Sequence, residues 1–205
     1  MILSKQVYIS ADYSEYDGDR EVVRVLTKWS EDNLHKIDFI DMSQVQSGSV
    51  SRDPDCRACD LKKEFNRQIN ASSAVIFIVG DMTAKRTAGS NCLRNDKSQY
   101  ECYCTPYKQN VNGTKLCKVT NVYSASSSSD VGNINSYSYL RHEFEQAKKK
   151  NKKIIIVYNS LRNEQEWLPS YMKGFEYLAH PFWKRNYLGE KVGDYDFIKG
   201  ELDFD

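Results

Sequence analysis

Residues 139–158 read YLRHEFEQAKKKNKKIIIVY, and they predict a helix that leads straight into a strand. Leu140, Phe144 and Ala147 recur at steps of four and three residues, which places their side chains on one face of an α-helix. Residues 153–158 are rich in β-branched side chains, as expected of a strand. A helix that enters an apolar strand is half of a βαβ unit, so this stretch predicts a parallel sheet.

Glu143 lies beside the apolar stripe of the predicted helix. It is about 60° around the helix from Leu140, so we expect its carboxylate at the rim of the core, within the first turns. A carboxylate placed there either complements the helix dipole or serves as a catalytic group. His142 falls on the face opposite the core, and we expect it to be exposed to solvent.

The same alternation of strand and helix extends towards the N-terminus. The predicted elements are a strand at 6–10, a helix at 20–33 capped by Asp19, a strand at 36–41, a helix around 61–69 and a strand at 74–80. The last strand is apolar on both faces, as in a central strand covered by helices on each side. The prediction is therefore an α/β fold with an open, mainly parallel, flavodoxin-like sheet and helices on both faces.

Three parts of the chain fall outside this alternation of strands and helices. Residues 84–136 form a long insertion that ends in a serine-rich run, and we expect it to emerge at the edge of the sheet. It is either a lid over the cleft or a disordered surface loop. Residues 160–205 are predicted to complete the fold with an edge strand and an irregular wrap. A polar loop is predicted at 42–60. A single domain, 1–205, accommodates all of these parts.

Composition excludes several classes of partner. The chain has 205 residues, 40% of them hydrophobic, and 29 basic against 28 acidic side chains give a net charge of +1. No global field therefore recruits nucleic acid or an anionic membrane surface. Because we find neither a signal peptide nor an 18-residue apolar span, we expect a soluble, cytoplasmic protein with reduced cysteines.

The six cysteines leave three alternatives open. Cys56 and Cys59 have the spacing of a zinc knuckle, and Cys102 and Cys104 could supply further thiolates for a structural zinc site. The second pair lacks the two-residue gap of the first. Free thiols and redox or disulfide pairing are the competing interpretations.

Polar residues collect where the predicted strands end. The carboxyl ends of parallel strands share one edge of a sheet, and ligands bind there near the point where the strand order reverses. Neither a dinucleotide-binding glycine fingerprint nor a P-loop occurs at these positions. The residues at this edge are Ser10, Ala11, Asp12, Tyr13, Asp41, Met42, Gly80, Asp81, Met82, Thr83 and Asn159. We expect Glu143 to belong to this set too, because its helix enters the next βαβ unit from the same edge.

Several of these segments together resemble the TIR-like domains of bacteria, including those of the Thoeris anti-phage system. The resemblance is carried by residues 7–10, Asp41, 61–65, 69–83 and 139–143, in this order and spacing. It covers about residues 5–83 and 137–159, and the insertion departs from the short connection that is usual in the family. It implies a TIR fold.

The resemblance also implies an activity, which is cleavage of the nicotinamide–ribose bond of NAD as substrate, with no cofactor. Glu143 would be the catalytic glutamate. The implied substrate-binding residues are Ser10, Ala11, Asp12, Tyr13, Asp41, Gly80, Thr83 and Tyr139. An ADP-ribose-derived product would then activate a separate effector protein in anti-phage immunity, after a phage-derived trigger.

Two other functions stay open at this point. A TIR-like module could signal by self-association without catalysis, and the many tyrosines, 14 in all, suit protein interfaces. A nucleoside deoxyribosyltransferase-like enzyme would share the open α/β layout and a catalytic carboxylate. Release of nicotinamide from NAD separates the first hypothesis from both.

Overall fold

The structure is a computed structural model that describes residues 5–12, 19–31, 37–41, 54–86, 107–110, 113–116 and 138–202. The strands are β1 (Lys5–Ser10), β2 (Ile37–Asp41), β3 (Ala74–Val79), β4 (Tyr107–Asn110), β5 (Gly113–Leu116), β6 (Lys153–Tyr158), β7 (Ala179–Pro181), β8 (Trp183–Arg185) and β9 (Lys191–Gly193). The helices are α1 (Asp19–Glu31), α2 (Pro54–Ala71), α3 (Tyr139–Lys149) and α4 (Tyr195–Glu201).

Five strands form one parallel sheet in the order β2-β1-β3-β6-β7. The central pairing of β3 with β6 runs from Ala74 opposite Lys153 to Val79 opposite Tyr158. This is the flavodoxin-like order, in which the chain first builds outward on one side of β1 and then on the other. The predicted α/β fold class with an open, mainly parallel sheet is confirmed.

The core lies around the central strands, which are buried on both faces. All six residues of β3 are buried, and so are residues 154–158 of β6, which is the pattern of strands covered on two sides. On one face, Ile9, Ile76 and Val157 belong to a hydrophobic cluster that includes side chains of α1 and α4. The continuous apolar runs of the sequence therefore become the inner strands.

The described chain falls into two compact units. The sheet unit contains Met1–Ser43, Ala71–Arg86 and Asn151–Asp205, and so holds the parallel sheet, α1 and α4. The helix unit contains Gln44–Asn70 and Thr87–Lys150, and so holds α3, the β4–β5 pair and α2 up to Asn70. That the chain is a single domain stays a prediction.

The helix α2 begins earlier than the sequence predicts. Residues 54–60 were expected in a polar loop, but the helix starts at Pro54. Proline suits the first helical turn because its missing amide hydrogen has no intrahelical partner there. The loop prediction is therefore wrong for this stretch, and its remainder, 42–53, lies outside the described residues.

The insertion contains a hairpin that the sequence analysis does not predict. β4 and β5 pair antiparallel, with Tyr107 opposite Leu116 and Asn110 opposite Gly113. The segment also includes the last two residues of the short 3₁₀ helix Thr83–Lys85. The serine-rich run lies outside the described residues, and the role of the insertion as a lid stays a prediction.

The C-terminal part supplies the predicted edge strand, β7, which pairs parallel with β6. Directly after β7, the Phe182 amide donates a hydrogen bond to the Tyr158 carbonyl at 2.8 Å. An antiparallel β8–β9 hairpin and α4 follow. None of the helices in the described ranges combines the length and the hydrophobicity needed to cross a bilayer.

Candidate functional site

The strand order reverses between β1 and β3, and several predicted site residues lie at the carboxyl ends of these two strands. Ser10 is the last residue of β1, and Gly80 follows β3 directly. In open α/β sheets this reversal creates a crevice in which ligands bind. Asp41 ends the neighbouring strand β2, where its partner in the register is Ile9. Tyr13 lies outside the described residues.

Asp12 and Arg86 form an ion pair at this edge. The Arg86 Nε atom donates to Asp12 Oδ2 at 2.5 Å, across 74 positions of sequence. The Asp12 side chain is 12% exposed and that of Arg86 is 38% exposed. The pair thus joins the loop after β1 to the 3₁₀ helix after β3, and it leaves a guanidinium accessible to solvent at the crevice.

Four of the predicted site residues at this edge are buried: Ser10, Ala11, Gly80 and Thr83. The Thr83 hydroxyl oxygen accepts the Gly80 amide hydrogen at 2.8 Å, which closes the turn after β3. A side chain that is 1% exposed and already holds the backbone in this way stabilises the loop. Direct contact of these four residues with a substrate stays a prediction.

A buried carboxylate lies next to Gly80. Asp19, in the first turn of α1, is 2% exposed, and its Oδ1 atom accepts from Asn159 Nδ2 at 3.3 Å. Asn159 in turn accepts the indole hydrogen of Trp183 at 2.7 Å. This chain of hydrogen bonds ties the start of α1 to the end of β6 and to β8, so the carboxyl edge of the sheet is held by side chains as well as by backbone.

In the helix unit, α3 presents the predicted catalytic carboxylate. Ser138 caps the helix by accepting the Arg141 amide hydrogen on its hydroxyl at 3.0 Å. Glu143 is 4% exposed, so its carboxylate is more enclosed than the predicted rim position implies. Leu140, Phe144 and Ala147 are buried, which confirms the predicted core face.

The prediction that His142 is exposed is wrong, because its side chain is 0% exposed. His142 Nε2 lies 2.9 Å from Asn66 Oδ1 on α2. One turn further along, Gln146 Nε2 donates to Asn70 Oδ1 at 3.4 Å. The second face of α3 is thus buried against a polar stripe of α2, and the helical wheel cannot distinguish such a stripe from a solvated face.

Tyr139, a predicted substrate-binding residue, packs on α2 as well. Its ring meets that of Phe65 edge-on, with centroids 5.5 Å apart. Part of its surface remains accessible, since Tyr139 is half-buried. Contact of Tyr139 with a substrate stays a prediction.

The cysteine predictions are not tested. Cys56 and Cys59 lie in α2, in a stretch whose side chains are not described, and Cys102 and Cys104 lie outside the described residues. In the part of the chain that is described, no group of three or more His, Cys, Asp or Glu side chains is placed to hold a metal ion.

Sequence reasoning missed Arg86 and Asn66. Arg86 was counted with the insertion, although it stands one turn after Thr83 and its charge could have marked it as a partner for Asp12. Asn66 lies between the apolar positions that defined α2, and a single polar residue there carries no signal of its own. Both act through contacts with residues more than 70 positions away.

Comparisons with known proteins add little to this picture. No family profile matches the sequence, and no curated protein matches it. Among solved structures, the chain is similar to the crystal structure of a prokaryotic SEFIR domain. That similarity covers 97% of this chain and 90% of the other, at 16% identity and a TM-score of 0.42. The fold class rests on the strand order and register of this protein.

Proposed function

We propose that the protein is an NAD-consuming enzyme of the TIR-like kind, in which Glu143 is the catalytic carboxylate. The observation that carries the proposal is the enclosure of this carboxylate, 4% exposed, on the second turn of a capped helix. A carboxylate is costly to bury, and such groups concentrate at active sites. The motif order that resembles TIR-like domains supports the same residue.

The chemistry suits a carboxylate in a site with little water. Breaking the nicotinamide–ribose bond develops positive charge on the ribose, and a fixed negative charge beside it stabilises that oxocarbenium-like transition state. Because Glu143 is buried, its interaction with that charge is screened less than it would be at the surface.

Arg86 is a candidate for binding the diphosphate of NAD. A guanidinium matches the geometry of phosphate oxygens and holds its charge at every physiological pH. Arg86 lies at the reversal point of the sheet, its side chain is 38% exposed, and Asp12 fixes its direction. In this proposal Asp12 acts by orienting Arg86.

The product would be an ADP-ribose derivative, cyclic or conjugated, that activates a separate effector protein in anti-phage immunity. The ribosyl cation left after nicotinamide departs can react with water, with a group of the same molecule or with a second molecule. Mass spectrometry of the product from NAD distinguishes these outcomes.

The first test is release of nicotinamide from NAD by the whole chain. Glu143→Gln removes the charge at nearly constant shape, and we expect it to lower kcat by about a hundredfold or more. Glu145→Gln is the matched control. Glu145 lies two residues along the same helix and pairs with Lys148 at 3.3 Å near the surface, so its loss should change kcat less than about twofold. Equal turnover by wild type and Glu143→Gln would contradict the proposal.

A second candidate function is a non-catalytic interaction module. The observation that favours it is the turn of the β8–β9 hairpin, where Tyr187 is 94% and Leu188 65% exposed. Asn186 Oδ1 holds that turn by accepting the amide hydrogens of Leu188 and Glu190, both at 2.9 Å. A protein that releases no nicotinamide at any concentration, and that loses signalling in Tyr187→Ser, would support this alternative.

A further inference from the structure

Three side-chain pairs join α2 and α3 in succession. Phe65 meets Tyr139, Asn66 meets His142 and Asn70 meets Gln146. Of these, the pair of His142 with Asn66 is the most enclosed, since His142 is 0% exposed and the two atoms are 2.9 Å apart. Two consecutive polar pairs stand at a helix interface where apolar side chains would pack with fewer constraints.

A polar pair inside a helix interface fixes geometry more strictly than an apolar contact does. Leucine side chains tolerate small shifts along and around the helix axis, whereas a hydrogen bond weakens steeply with distance and angle. Because the His142 side chain is fully buried, water cannot readily take the place of Asn66 if this bond is lost. The bond from His142 Nε2 to Asn66 Oδ1 therefore sets both the rotation and the axial position of α3 on α2.

The proposed catalytic carboxylate belongs to the next residue in the chain. Glu143 follows His142 directly, and the two lie in the same helical turn. Neighbours in a helix are related by a fixed rotation of about 100° and a rise of about 1.5 Å, so holding one imidazole in place also holds the adjacent carboxylate.

We propose that His142 is a positioning residue that, through Asn66, holds the Glu143 carboxylate in its reactive place. The inference rests on the proposed function of Glu143. His142 does not touch the substrate in this mechanism. Its side chain donates through Nε2 to Asn66 and thereby restricts the movement of α3.

Steady-state kinetics with NAD tests the inference on the full chain. His142→Leu keeps the volume and removes the hydrogen bond, and we expect kcat to fall by about ten- to a hundredfold while KM changes less than about twofold. His142→Gln carries an amide hydrogen near the place of Nε2, and it should recover kcat to within about threefold of wild type. Asn66→Ala should lower kcat by a similar factor, because it removes the other partner of the bond. Asn66 is only half-buried, so this variant keeps the test available if His142→Leu does not fold.

The matched control is Gln146→Leu. It removes the neighbouring polar pair on the same face, so it should lower the thermal unfolding temperature by an amount similar to His142→Leu. Because Gln146 lies almost one turn beyond Glu143, its loss should leave kcat within about twofold. The double variant His142→Leu/Asn66→Ala should be no slower than either single variant, since all three lack the same bond.

The outcomes separate this inference from the proposed function. An active wild type in which His142→Leu and Gln146→Leu lower kcat equally would overturn the positioning role and leave the enzyme standing. An active wild type in which His142→Gln fails to recover kcat would also overturn it. A wild type that releases no nicotinamide would overturn the proposed function, and the positioning role with it.

Discussion

Single residues at the sheet edge divide into those that hold the loops and those that face solvent. Arg86 belongs to the second group and is the accessible cation of the Asp12–Arg86 pair. If it binds the diphosphate of NAD, as we propose, Arg86→Ala should raise the KM for NAD by about tenfold, equivalent to about 1.4 kcal/mol. The KM of Arg86→Lys should lie between those of wild type and Arg86→Ala, because an ammonium keeps the charge but not the planar fork of the guanidinium.

Arg162 provides a control for the loss of an arginine. Its side chain is 82% exposed and pairs with Glu164 at 2.6 Å. Arg162→Ala should leave KM unchanged in the same assay. A KM that is equal in wild type and Arg86→Ala would exclude Arg86 from substrate binding.

Gly80 is required for a steric reason. A Cβ atom added to it would lie 2.6 Å from Asp19 Oδ1, which is too close. The Asp19 carboxylate is buried and hydrogen-bonded to Asn159, so it cannot easily move away. We expect Gly80→Ala to lower the free energy of unfolding by about 1–3 kcal/mol in urea titrations. At Gly200, in α4, an added Cβ would meet no atom within 4 Å. Gly200→Ala should therefore raise the free energy of unfolding by about 0.5–1 kcal/mol. Equal effects at both positions would contradict this account.

At the level of elements, α4 depends on the carboxylate that caps it. Asp194 accepts the Phe197 amide hydrogen at 3.3 Å, Lys184 Nζ at 2.9 Å and His180 Nε2 at 3.3 Å. Burial acts to raise the pKa of Asp194, but these hydrogen bonds outweigh it and place the pKa below its usual value. The ionised cap is therefore favoured by the folded state.

This shift makes part of the stability dependent on pH. A carboxyl group with a lowered pKa contributes stability above its unfolded pKa of about 3.9, and the contribution is lost as the pH falls through the folded value. We expect Asp194→Asn to cost about 1 kcal/mol in urea unfolding at pH 7 and progressively less below pH 4. Asp196→Asn, whose carboxylate is 83% exposed, is the control and should change little at either pH. A cost that is independent of pH would show that Asp194 acts without its charge.

Elements were predictable from sequence where burial is uniform. The bounds of β6 agree with the prediction because residues 154–158 are a continuous apolar run directly after a stretch of lysines. The start of α2 was missed because residues 54–60 contain no apolar stripe, and the β4–β5 hairpin because its strands are short and polar. Sequence prediction of this kind relies on apolar periodicity, and these two segments contain little of it.

At the level of the whole molecule, the parallel sheet and the fold class followed from sequence but the polar contacts did not. A βαβ rhythm permits few arrangements of strands, so the fold class could be derived from periodicity. The Asp12–Arg86 and His142–Asn66 pairs join positions 74 and 76 residues apart, and no periodicity encodes them. Glu143 could be singled out only because its neighbours resemble a known motif.

The outer strand β7 also limits how these molecules meet in concentrated solution. Because the Phe182 amide points to β6 and successive amides alternate, the nitrogen of Pro181 faces away from the sheet. Proline has no hydrogen to donate there, so a strand from another molecule that approached this edge would find a gap in the ladder. Open edges are where sheets recruit one another and begin to grow as fibres. A three-residue strand that ends in proline therefore protects the protein against polymerisation from this side.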